Sequence, residues 1–293
     1  MNSDHRNQYV DRPDLLGLRP WIQLLVGLPL GLVAASVAGI TQVAFAFGVY
    51  GATTWNEALL VTWPGQTIGM VFQIFAAVAV MAFVARCLAR RSVYEFERKG
   101  AGREFGYGAL LGGGIITSAV TVLFILGNYR VTEVDLSRGL LSGLLLGLGS
   151  AFGEEVAMRG ILLRILVGKL GKLPALVITS IAFGLLHLGN PGASLLGAVG
   201  IALQAGILFG VAYLITRRLW FVIGIHAAWN FTQTAIFGLG VSGVQTEPGL
   251  FVAEIHGPDW LTGGGIGIEG SVIMIALGLM VSALLLPKMS QKH

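Results

Sequence analysis

From Trp21 onward the chain is a succession of apolar runs, each closed by a short polar stretch. A bilayer core about 30 Å thick calls for roughly 20 apolar residues per helical crossing, at about 1.5 Å of rise each. The runs fall near 21–51, 65–86, 107–128, 139–163, 174–190, 194–215, 219–240 and 271–287. They predict an all-α fold: a polytopic membrane protein built as a bundle of about eight transmembrane helices. Only 12% of the residues are charged and 55% are hydrophobic, whereas a soluble domain carries about 25% charged residues. The surplus apolar surface needs lipid. Residues 21–287 form a single transmembrane domain, with polar tails at 1–20 and 288–293 that are expected to be cytoplasmic. The first run is too long for the core of a signal peptide.

A net charge of +4 does not indicate a nucleic-acid partner, because the basic residues sit in short loops between spans. Segments on the amino-terminal side of the membrane (1–20, 86–105, 159–172, 216–218 and the tail after 287) hold seventeen lysines and arginines, and the opposite loops hold only Arg130 and Arg138. This positive-inside bias predicts a multi-pass protein of the cell membrane with both termini in the cytoplasm. The opposite loops are acidic, with Glu57, Glu133, Asp135, Glu247, Glu254, Asp259 and Glu269. Cys87 is the single cysteine, so no intrachain disulfide can form.

Against this background the hexapeptide Glu154-Glu155-Val156-Ala157-Met158-Arg159 stands out. Ionised side chains within a span cost several kcal/mol, roughly 2.5–3.5 each on insertion scales, and usually mark function. Three further polar residues lie in apolar runs: His187 closes the fifth, and His226 and Asn230 share one face of the seventh at i,i+4. Glu154 and His187 lie at similar distances from the turn near 168–171, which puts them at one depth. Arg159 and Arg164 are expected to mark the membrane surface, with Glu154 about 7 Å below and His226 about 12 Å below Arg218. All three then converge in the cytoplasmic half of the bilayer. Gly139, Gly143 and Gly147, four residues apart, predict that the helix bearing Glu154 packs closely inside the bundle.

Carboxylate plus imidazole is the donor mix of a zinc site that keeps an open position for water. Glu154, His187, His226 and Asn230 are therefore candidate ligands of a divalent metal, zinc by donor type, which would lower the pKa of bound water toward about 7. A metal-free scheme uses the same residues: Glu154 and His187 activate water, while His226 and Asn230 bind the oxyanion. In both, Arg159 orients Glu155 by a charge-assisted bond. Either scheme is amide hydrolysis.

Glu154-Glu155-x-x-x-Arg159, Phe183-x-x-x-His187 and His226-x-x-x-Asn230 resemble, in order, the three motifs of the CAAX protease and bacteriocin-processing (CPBP, or Abi) intramembrane proteases, which include type II CAAX prenyl endopeptidases. The resemblance spans 154–230. It implies an endopeptidase acting inside the membrane on a membrane-associated, CAAX-like peptide or protein, with Glu154, His187, His226 and Asn230 catalytic and Glu155 and Arg159 supporting. The competing classes are a transporter that binds an ion at the polar cluster and a catalytically silent immunity or adaptor protein.

Overall fold

The computed structural model describes residues 19–49, 51, 63–136, 139–246 and 249–290. The tails expected at 1–20 and 288–293 lie largely outside the described residues. Six membrane-length helices come first: α1 (Pro20–Val49), α2 (Thr67–Leu88), α3 (Ala101–Ile125), α4 (Leu140–Leu170), α5 (Lys172–Gly189) and α6 (Leu195–Thr216). Next comes α7 (Leu219–Phe231), prolonged by a π-helical turn at Thr232–Ile236. A seventh helix of membrane length, α8 (Val272–Met289), completes the bundle. Among the described residues seven helices are thus long and apolar enough to span, and α7 falls short on apolarity because it carries His226, Asn230 and Gln233.

That shortfall follows from where α7 lies. A Cβ added at Gly112 of α3 would stand 2.1 Å from the Ile225 carbonyl oxygen, and one at Gly147 of α4 would stand 2.5 Å from that of Ala227. Backbones meet backbones there, so α7 is enclosed by protein and its polar groups never face lipid. Gly143 likewise approaches Ala235, and Gly153 approaches Ala35 of α1. The four-residue glycine spacing therefore marks the centre of the bundle, as expected.

The bundle has two distinct ends. At the basic end, Arg218 pairs with Glu104 at 2.9 Å and donates to the Lys99 carbonyl at 2.8 Å, tying the α6–α7 turn to the loop before α3. Arg164 and Arg217 both act electrostatically on Tyr94 and Tyr213. The α4–α5 turn at Gly171 lies seven residues past Arg164, about 10 Å further out. The start of α1 is also at this end, because Gln23 accepts a 2.7 Å bond from Arg164.

At the opposite end, β1 (Tyr129–Val134) pairs antiparallel with β2 (Phe251–Ile255), Tyr129 lying opposite Ile255. Tyr129 donates to the Phe237 carbonyl at 3.0 Å, and the Gly192 amide donates to Gly243 at 2.8 Å. The segment 237–271 is therefore folded onto the bundle.

One expectation is corrected. Arg159 and Arg164 do not mark a membrane surface; they are 1% and 0% exposed. Both are held by buried partners, which removes the need to reach water.

Candidate active site

Helix α4 carries its motif at a change of pitch. The regular helix gives way to a π-helical stretch, Val156–Leu163, directly after Glu155. Such wide turns occur mostly at functional positions. Here the stretch lies next to two carboxylates and holds Arg159.

Glu155 is fully buried and is the hub of the first cluster. Its Oε1 accepts from Arg159 Nη1 at 3.1 Å and from His226 Nδ1 at 2.8 Å. The carboxylate can only accept, so His226 carries its proton on Nδ1 and turns Nε2 the other way. The Arg159 guanidinium lies 4.3 Å from the Phe183 ring centre and 5.4 Å from that of Phe209, and donates to the Gly206 carbonyl at 3.4 Å. A buried cation between two aromatic faces is stabilised by their quadrupoles. Phe183 does more. Its carbonyl accepts from His187 Nδ1 at 2.7 Å, and its ring lies 4.8 Å from the imidazole, edge to face. The phenylalanine of the second motif thus contacts the arginine of the first and the histidine of its own.

Glu154 acts electrostatically on both His226 and Arg159. Its Oε2 is buried and has no hydrogen-bond partner among the described residues. The side chain is therefore turned inward, with an idle acceptor beside the imidazole. Asn230 donates from Nδ2 to Ser150 Oγ at 2.8 Å. Ser150 lies one turn before Glu154, so α4 fixes the asparagine amide as well.

His187, His226 and Asn230 line one cavity with Ser242 and Glu269. It offers about 10 Å³ for the centre of a water, enough for one molecule. The second and third motifs line this space; the first does not, and is joined to it through the bond of Glu155 to His226. Across the turn at 240–244 lies a larger cavity of about 220 Å³, bordered by Gly240, Gly243, Gln245, Thr262 and Gly265.

Glu269 and Ser242 were not singled out from sequence, where Glu269 counted only as an acidic loop residue. It is 4% exposed. Burial drives its carboxyl above the usual range, opposed by the bonds from Ser242 and Trp229 and by His187. The available signal was its place, two residues before the last apolar run. Ser150 could have been found at i−4 from Glu154.

The donor chemistry has one feature of a metal site: both histidines have Nδ1 engaged and Nε2 free to face a ligand. Yet among the described residues no three His, Cys, Asp or Glu side chains stand close enough to hold an ion. Among the described residues His, Cys, Asp and Glu side chains alone thus do not make a three-ligand site.

Compared with known families, residues 136–232 match the model described as type II CAAX prenyl endopeptidase Rce1-like. The chain carries an Rce1-like domain. The match contains every motif residue from Glu154 to Asn230 and ends before Ser242 and Glu269. The family is described as one of prenyl endopeptidases, and the likeness covers about a third of the chain. No curated protein and no solved structure matches the chain.

Proposed function

We propose that this chain cleaves a peptide bond of a membrane-associated, prenylated CAAX-like peptide or protein, with water activated by Glu154 and His187. The carrying observation is that His187, His226 and Asn230 line one cavity the size of one water, while Glu155 of the first motif holds His226. The idle Oε2 of Glu154 takes the proton as that water attacks the carbonyl carbon. His187, fixed through Nδ1 by the Phe183 carbonyl, lines the cavity and holds the water at Nε2, and the proton taken by Glu154 passes to the leaving amine. Asn230 Nδ2 and His226, as an imidazolium with Nδ1–H on Glu155 and Nε2–H turned the other way, donate to the oxyanion that forms, and their fixed positions lower the barrier without reorganisation at the moment of reaction. Glu155 and Arg159 hold His226. A divalent ion such as zinc, if bound, would supply Lewis acidity and a more acidic water.

The test uses purified protein in liposomes and a quenched peptide bearing a prenylated cysteine three residues from its carboxyl terminus. Wild type cleaves it, and Glu154→Gln loses roughly 10²–10⁴-fold in kcat. Chelator-resistant cleavage supports the metal-free scheme, and chelator-sensitive cleavage restored by zinc replaces it with the metal-bound one. Binding without cleavage, or equal rates in the variant, overturns the proposal. We also propose that the basic end faces the cytoplasm of the cell. Lys169→Cys in a Cys87→Ser background is then labelled by an impermeant maleimide from that side alone.

A further inference from the structure

We propose that Glu269 is a positioning residue of this active site, clamping the Ser242 turn and Trp229 around the cavity. The inference rests on the hydrolytic role assigned above, and Glu269 lies outside the segment that matches the family.

The carboxylate is used on both sides. Oε1 accepts from Trp229 Nε1 at 3.1 Å, and Oε2 accepts from Ser242 Oγ at 3.0 Å and from the Ser242 backbone amide. Three donors converge on it. A carboxylate accepts at both oxygens, whereas a glutamine would turn a donor toward either Trp229 or Ser242. The position therefore calls for an acid.

What the acid holds matters to the site. Trp229 sits between His226 and Asn230 in α7, and its ring lies edge to face with Phe209 at 5.8 Å. Phe209 in turn lies 5.0 Å from His226. Ser242 occupies the left-handed region at φ 50°, in the sequence Gly240-Val241-Ser242-Gly243, where glycine would be unstrained. A serine at such a position is held by its surroundings. Asn190 donates to its carbonyl at 2.7 Å, and the next amide, that of Gly243, donates to Ile266 at 2.9 Å. Strain of this kind gathers at functional sites. Ser242 lines the water-sized cavity, and its neighbours Gly240 and Gly243 line the larger one, so the clamped turn is the partition between them. Glu269 thus sets the distance between the partition and the helix that carries His226 and Asn230, and places a negative charge within reach of His187.

The same peptide assay decides it, run beside thermal unfolding in detergent. Glu269→Gln is expected to lose about tenfold or more in kcat with KM little changed, and Glu269→Asp to recover part of the loss. Ser242→Gly suits the backbone and removes the hydroxyl, so it keeps wild-type stability and loses kcat. Glu254→Gln, on the exposed strand β2, cleaves as wild type. Wild-type kcat in Glu269→Gln, or in Ser242→Gly should the glutamine variant not fold, overturns the clamp while Glu154→Gln stays inactive. Full activity in Glu154→Gln instead overturns the hydrolytic assignment itself.

Discussion

Two buried ion clusters sit on the same helix, and they differ in what their carboxylates have left to do. Near the basic end, Glu95 receives Arg91 at 2.5 and 3.1 Å, one bond to each oxygen, with Arg164 Nε 3.6 Å away. Arg164 also donates to Gln23 and to the Gly160 carbonyl. Nine residues earlier in α4, Glu155 shares a single oxygen between Arg159 and His226, and the Oε2 atoms of Glu154 and Glu155 have no hydrogen-bond partner. The first cluster has both acceptor oxygens engaged and ties α1, α4 and the loop before α3 together. The second keeps two oxygens unengaged and holds His226, which lines a water-sized space. Burial of charge alone does not separate the two clusters; their unengaged oxygens do.

The contrast can be broken most severely at Glu155. Glu155→Gln leaves Arg159 without its hydrogen-bonded counter-charge and His226 without its anchor. It should cost about 3–5 kcal/mol of stability and lower kcat by roughly 10²-fold or more, seen in thermal unfolding and peptide cleavage together. Glu95→Gln separates the two roles. Stability should fall by a similar amount, about 3–5 kcal/mol, while kcat per folded molecule stays at the wild-type value. Loss of turnover there would mean that the clusters are coupled.

A smaller change sharpens the second cluster. Phe183→Leu removes an aromatic face from Arg159 but leaves the backbone carbonyl that holds His187. The expected cost is about 1–2 kcal/mol of stability, with kcat reduced less than in Glu155→Gln. The smallest effect is alkaline. Burial, assisted by Glu95, pushes the Tyr94 phenol up to about 12. Its folded pKa thus exceeds the unfolded value of about 10. The neutral phenol therefore contributes stability below pH 10, and the contribution is lost as pH rises through about 12. Ultraviolet titration in detergent should show Tyr94 among the tyrosines that ionise late, with Tyr94→Phe removing its step, and melting temperatures should decline over that window.

Much of this was legible because lipid imposes simple lengths. Span order and the glycine-packed α4 come from counting residues. Counting failed where tertiary partners change the meaning of a charge. Arg159 and Arg164 looked like surface markers, because no local pattern announces a Phe183–Phe209 sandwich or a Gln23 partner 141 residues away. Glu269 and Ser242 were hidden for a related reason. They enter the site through the folding-back of a long loop, a path that hydropathy does not encode. The polarity of α7 was read as function, and it also lowered the helix below the apolarity of a lipid-facing span.

The wide turns between Val156 and Leu163 lie between the two clusters. Each residue of an α-helix advances its side chain by about 100° around the axis. The relative bearing of Glu155 and Arg164 is therefore set by how many residues this stretch accommodates. Deleting Ala157 alone, with every charged group retained, would swing one cluster out of phase with the other. Either His226 loses its carboxylate or Gln23 its guanidinium, so the chain tolerates substitutions here far better than a change in length.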